Sequence, residues 1–147
     1  MIINPFNAGA NWRWDNFRLR EVQCHCDKAK EEGKPVGVRY PGCKVVLVDS
    51  RLLDFLQAVR TASGQPLSRS CAYRCPMHNE AVGGKPETTA LPGKGSQHLY
   101  GLAADIKRRN LPDDFGTALD ILVGSQCGFH EYDWGWHVDL RGTRSRW

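Results

Sequence analysis

The chain has 147 residues, 41% hydrophobic and 24% charged, which describes one soluble domain with room for a single core and no material for a second. Twenty basic residues against sixteen acidic give a net charge of +4, an excess that suits an anionic cell wall, membrane surface or nucleic acid without selecting among them. No run of eighteen apolar residues occurs, and the opening MIINPFNAGANWRWDNF lacks the basic start and apolar centre of a signal peptide, so neither a membrane span nor an export signal is expected.

In chain order, residues 1 to 15, with Trp12 and Trp14, read as an N-terminal arm, and 16 to 147 as one domain. KAKEEGKPVGVRYPG, 28 to 42, is polar and broken by Gly and Pro, which predicts a surface loop. CKVVLVD, 43 to 49, is a short β-branched run and predicts a strand. Asp49 or Ser50 then caps a helix whose Leu52, Leu53, Phe55, Leu56 and Val59 keep a 3.6 period, with an end near Gly64. PLSRSCAY reads as a strand, PMHNEAVGG as a short helix with a glycine stop, and KPETTALPGKG as a loop. A second helix fits 113 to 123, where Phe115, Ala118, Leu119, Leu122 and Val123 form one face and Gly124 closes it. CGFHEY and WGWHVDLR read as two extended segments. Helices and strands mix without regular βαβ alternation, so the predicted class is α+β.

Six cysteines (24, 26, 43, 71, 75 and 127) allow fifteen disulfide pairings in an oxidising compartment. CHC at 24 to 26 and CAYRC at 71 to 75 lack the paired CxxC spacing of a zinc ribbon. Buried free thiols, or one or two disulfides, are the expectation.

GSQHLYGLAADIKRR, 95 to 109, sets His98 and Asp105 seven apart among small residues. On one helix the two would sit about 10 Å apart along the axis, too far for ligands of one ion at about 2 Å each. A turn at Gly101 into a strand instead returns Asp105 beside His98, and the alanines at 103 and 104 allow close approach. His137, on the predicted strand WGWHVDLR, supplies a third donor. Two His and one carboxylate form the ligand set of a catalytic zinc, which keeps a fourth position for water. Asp139 lies on the same strand face as His137, about 7 Å further on, and suits an orienting role better than a ligand role.

The pattern Ser96-x-His98-x-x-Gly101-x-Ala103-x-Asp105 followed by His137-x-Asp139 resembles the zinc D-alanyl-D-alanine carboxypeptidase family, which shares its fold with the vancomycin-resistance dipeptidases and the Hedgehog signalling domain. NFRLREVQCHC, LVDSRLLDFLQAVRTASGQPL, CAYRCPMHNEAVGG and HVDLRGTRSRW resemble further segments of that family in the same order, over roughly residues 16 to 147. The resemblance implies a small antiparallel sheet with helices packed on one side. It also implies zinc held by His98, Asp105 and His137, with Arg74 in the cleft binding a substrate carboxylate or a developing oxyanion. Ser96 resembles a family serine that hydrogen-bonds substrate.

The chain departs from the family at the general base. The position three before His137 is Trp134 and the position two before is Gly135. Asp133, brought in by a bulge or turn at Gly135, is the favoured base, with Glu131, at a spacing found in the Hedgehog branch, and His130 as alternatives. The implied activity is zinc-assisted hydrolysis of peptidoglycan stem peptides, as a carboxypeptidase or cell-wall endopeptidase, with an endolysin of a phage as one setting. Its site of action would be the bacterial cell wall, periplasmic or extracellular. The expected partner is a peptide, with no nucleic acid, no membrane and a monomeric chain. The alternative is a zinc-stabilised binding module of the same fold without catalysis. A basic nucleic-acid-binding domain, resting on KRR at 107 to 109 and the terminal RGTRSRW, is the least supported reading.

Overall fold

The structure, a computed structural model, describes residues 1–4, 8–26, 45–88 and 93–147. The loop predicted over 28–42, Cys43 with the start of the strand predicted over 43–49, and residues 89–92 of the later loop lie outside the described residues.

The arm packs into the domain. Strand β1 (Ile2–Ile3) pairs antiparallel with β2 (Val48–Asp49), a helical turn α1 follows at Ala8–Asn11, and Ile3 and Trp14 are buried in the main core. Helix α2 (Ser50–Ser63) starts where Asp49 accepts a 2.9 Å bond from the Arg51 amide and ends at Gly64, whose φ of 63° suits a residue without Cβ. Its Leu52, Leu53, Leu56 and Val59 face the core, as their period predicts, each worth roughly 1.5–3 kcal/mol relative to exposure.

Strand β3 (Arg69–Cys71) leads into helix α3 (Pro76–Ala81), with Pro76 at its first turn, where a missing N–H costs nothing. Strand β4 (Ala103–Lys107), helix α4 (Phe115–Val123), and strands β5 (Gly128–Tyr132), β6 (Gly135–Asp139) and β7 (Ser145–Arg146) complete the fold. The main sheet runs β3-β4-β6-β5-β7. Its pairs are antiparallel, as expected, except that the short edge strand β7 adds to β5 in parallel.

Strand alternation divides this sheet chemically. Ala104, Ile106, Phe129, Trp136 and Val138 turn to the core shared with α2 and α4, and Phe115 packs 5.1 Å from the fully buried Trp136 ring. Asp105, His137, Asp139 and His130 alternate with them onto the opposite face. No helix among the described residues is long and apolar enough to cross a membrane.

Candidate metal centre and cleft

His98 sits on a single 3-10 turn, Gln97–Tyr100, and Gly101 ends it at φ 66°. A Cβ on Gly101 would stand 2.1 Å from the Leu47 carbonyl oxygen, so the reversal needs glycine twice over, for its dihedral and for its clearance. The chain enters β4 beyond this turn and carries Asp105 back beside His98. On the adjacent strand His137 is the register partner of Asp105.

The three side chains meet at one oxygen. His98 Nε2 is 3.2 Å and His137 Nδ1 is 2.8 Å from Asp105 Oδ1, and all three residues are buried. The other nitrogen of each ring has its own acceptor: His98 Nδ1 meets the Ala72 carbonyl, and His137 Nε2 lies 3.0 Å from Asp139 Oδ2. With a proton on each outer nitrogen, as metal binding would require, the inner nitrogens of both rings would be free to coordinate beside the Asp105 carboxylate.

Asp139 is fully buried and held from several sides. Arg141 donates to both of its oxygens at 2.7 and 2.6 Å, and the Gly128 amide donates to Oδ1 at 3.2 Å. A Cβ on Gly128 would lie 2.4 Å from this carboxylate, so glycine there makes the contact possible. Burial works against an ionised Asp139, but the hydrogen bonds from Arg141 and His137 and the Arg141 charge hold its pKa well below the usual carboxylate range.

Arg74, mostly buried between β3 and α3, donates to Asp105 Oδ2 at 2.7 Å and to Cys71 Sγ at 3.1 Å. Cys71, His98 and Asp105 each offer a donor atom within 4.8 Å of the others, so a thiol adjoins the predicted set. Burial opposes the charge on His98, yet Asp105 and Cys71 outweigh it and raise its pKa from 6.5 to about 9. Burial likewise opposes ionised Asp105, and the His98 charge, the bonds from His137 and His98, and Arg74 outweigh it and hold its pKa far below 3.8.

A family model described as Peptidase M15 matches residues 15–139. The chain belongs to the peptidase M15 family. No curated protein and no solved structure matches it.

M15 peptidases are metallo-enzymes, and the donors fit a metal. Tetrahedral ligands at about 2.0–2.1 Å from zinc stand roughly 3.3 Å apart, close to the two contacts at Asp105 Oδ1. Each histidine has its outer nitrogen on a carbonyl or carboxylate, the arrangement that orients metal-binding imidazoles. Asp139 stands behind His137 as the sequence suggested. The set with Cys71 lacks that support, because its sulfur is engaged by Arg74.

The cluster opens on a cleft of about 1410 Å³ lined by Arg74, Ser96, His98, Asp105, Tyr132 and His137, among others. Arg74, Lys85, Lys94, Lys107 and Arg141 line it, and Asp105 is the one acid among its described lining residues. Trp134 forms part of the wall and stacks on Tyr132 at 4.9 Å, whereas Trp136 is a core residue.

The expected bases lie apart from the three converging donors. β5 and β6 keep unbroken register, with Tyr132 opposite Gly135, so residues 133 and 134 form the tip of a hairpin and not a bulge. Asp133 is exposed at that tip, about 10 Å or three strand steps from His137. Glu131 is on the core side, bonded to Arg108 at 2.7 Å and Trp136 Nε1 at 3.1 Å. His130 is the cross-strand partner of His137 on the same face, and its Nδ1 is buried with no hydrogen-bond partner. Sequence reasoning missed Cys71, Gly128, Tyr132 and Arg141. Cys71-x-x-Arg74 and Asp139-x-Arg141 left local signals, and Gly128 and Tyr132 reach the site through strand pairing.

Proposed function

We propose that this M15 peptidase hydrolyses peptide bonds in peptidoglycan stem peptides, as a D-Ala-D-Ala carboxypeptidase or a cell-wall endopeptidase, with zinc held by His98, Asp105 and His137. The observation that carries the reading is the convergence of His98 Nε2 and His137 Nδ1 on Asp105 Oδ1 beside an open cleft. Zinc in that position supplies a Lewis acid and lowers the pKa of a bound water. Five cationic side chains against one acid in the lining suit a peptide carrying free carboxylates. Arg74 binds such a carboxylate, or the carbonyl oxygen as negative charge develops, and Ser96 hydrogen-bonds the peptide backbone. Tyr132 and Trp134 offer an apolar wall for its side chains. His130 takes the proton of the attacking water in preference to Asp133 or Glu131, since it shares a sheet face with His137 and carries an unpaired Nδ1.

A second reading, a zinc-stabilised binding module without catalysis, draws on one observation: neither Asp133 nor Glu131 faces the three donors. One assay separates the two. Purified peptidoglycan and defined stem peptides are incubated with the protein, with and without a chelator, and the products are identified by mass. Chelator-sensitive cleavage supports the peptidase. Binding of the same peptides without any cleavage overturns it in favour of the module. Cleavage that survives in Asp133→Ala and is lost in His130→Ala supports the assigned base, and the reverse pattern sinks it.

A further inference from the structure

A second cluster of soft donors lies behind the cleft, with His78 in its wall. Cys24 and Cys26 come from the segment after the 3-10 turn Leu19–Glu21, Cys75 caps α3, and His78 sits in that helix's first turn. Cys24 Sγ is 3.1 Å from Cys26 Sγ and 3.3 Å from His78 Nδ1, and Cys26 Sγ is 3.3 Å from Cys75 Sγ. All four residues are buried, and one donor atom from each of Cys24, Cys26 and His78 lies within 4.8 Å of the other two. From these contacts we propose that Cys24, Cys26, Cys75 and His78 hold a structural zinc ion, separate from the metal of the cleft.

The chemistry selects the metal class. Three thiolates and an imidazole are a closed four-ligand set for tetrahedral zinc, with no carboxylate among them and no position for water or substrate. A disulfide can join two of the three sulfurs and leaves the third with the imidazole, whereas one ion takes all four. Each thiol releases its proton on binding, and the backbone is arranged to favour the sulfur anions. The Cys75 amide donates to Cys24 Sγ at 3.3 Å and the His78 amide to Cys75 Sγ at 3.4 Å.

The position gives the ion a task. One backbone bond ties the two segments here, from the Tyr73 amide to the Val22 carbonyl at 3.3 Å, while the Cys24 amide donates to the Val45 carbonyl at 2.8 Å. Cys75 directly follows Arg74, and Ala72, whose carbonyl receives His98, lies three residues before it. An ion bridging residues 24–26 to 75–78 therefore fixes the strand end that positions Arg74 and the His98 ring.

The test uses the full chain in a His98→Ala background, because His98 belongs to both possible donor sets of the cleft. Metal analysis after purification should give one zinc per chain in this variant and two in the parent. Replacement by cobalt(II) should give a sulfur-to-cobalt charge-transfer band in the near ultraviolet, unchanged by Cys71→Ser and removed by Cys24→Ser with Cys26→Ser. Because the double cysteine variant is at risk of misfolding, the first two readings decide on their own. A His98→Ala protein that binds no zinc, or whose cobalt form has no sulfur band, overturns the proposal. So does a band that disappears with Cys71→Ser alone.

Discussion

Two donor clusters flank the same eight residues, CAYRCPMH, and they differ in what they leave open. Towards the cleft the segment contributes Cys71, the Ala72 carbonyl and Arg74, which hold or adjoin His98 and Asp105. Towards the N-terminal segment it contributes Cys75 and His78, which meet Cys24 and Cys26. The first cluster mixes imidazole and carboxylate, sits under a cleft and is surrounded by cationic side chains. The second is sulfur-rich and its four residues are buried, with His78 alone reaching the cleft lining. Hard and borderline donors with an approach from solvent suit reaction, while soft donors closed off from it suit holding the chain together.

The largest expected effect separates the two clusters outright. His98→Ala removes a donor that the cleft cannot replace, so peptide hydrolysis should fall to the level of a chelated sample while metal held by the sulfur cluster stays. Mass analysis of digests alongside metal content checks this. Loss of both metals together would show that the clusters are one cooperative unit and break the comparison. A smaller effect is expected from Asp139→Asn, which keeps the size of the side chain but weakens the acceptor for His137. Metal affinity of the cleft should drop about 10- to 100-fold with little change at the sulfur cluster, as read by competition with a chelating dye.

Much of this arrangement was written locally and part of it was not. The α2 cap at Asp49, its apolar stripe, the stop at Gly64 and the turn at Gly101 are each encoded within a few residues, and each appears where the pattern predicted. His98, Asp105 and His137 were legible because a turn and a strand pairing suffice to bring them together. The placement of the candidate bases was not, because spacing along a strand says nothing of where a hairpin turns. The tip falls at 133–134, which carries Asp133 away and puts His130, not a carboxylate, opposite His137. Buried thiols were expected and are found, but their meeting in one cluster was not legible. A search for paired CxxC motifs passes over Cys75-x-x-His78, and nothing in the sequence says that this pair meets Cys24 and Cys26 fifty residues away. No disulfide joins any two of the five described cysteines, so of the two expectations the disulfide one finds no support among them.

The metal-free protein should show the cleft's electrostatics in its pH dependence. His98 is raised from 6.5 to about 9 on folding, so its contribution to stability is complete below about pH 6.5 and is lost as pH rises through 9. Asp105 is shifted down from 3.8, so its contribution is present above that value and is lost as pH falls towards the folded pKa. The part of the stability due to this pair should therefore be greatest between about pH 4 and 6.5. Zinc binding needs neutral imidazole and should strengthen over the alkaline range where the metal-free form weakens. Denaturant titrations of chelated protein, compared with His98→Ala at each pH, check the sign. A difference that grows from pH 6.5 to 9 would contradict it.

The smallest effect supplies the baseline for both clusters. Asp49 caps α2 through the Arg51 amide and also accepts from the Arg51 side chain, while its own amide donates to the Gly101 carbonyl at 2.9 Å. Asp49→Ala removes the cap and the ion pair but keeps that backbone bond, so the turn that carries His98 stays anchored. The cost should be about 1 kcal/mol of stability, because Arg51 is mostly exposed and the pair adds little to the cap. Metal content and hydrolysis should be unchanged. A variant that loses that stability and also loses cleft metal would mean that the α2 start and the His98 turn move together. The open cluster would then depend on its scaffold as closely as the closed one does, and the contrast between them would narrow to ligand chemistry alone.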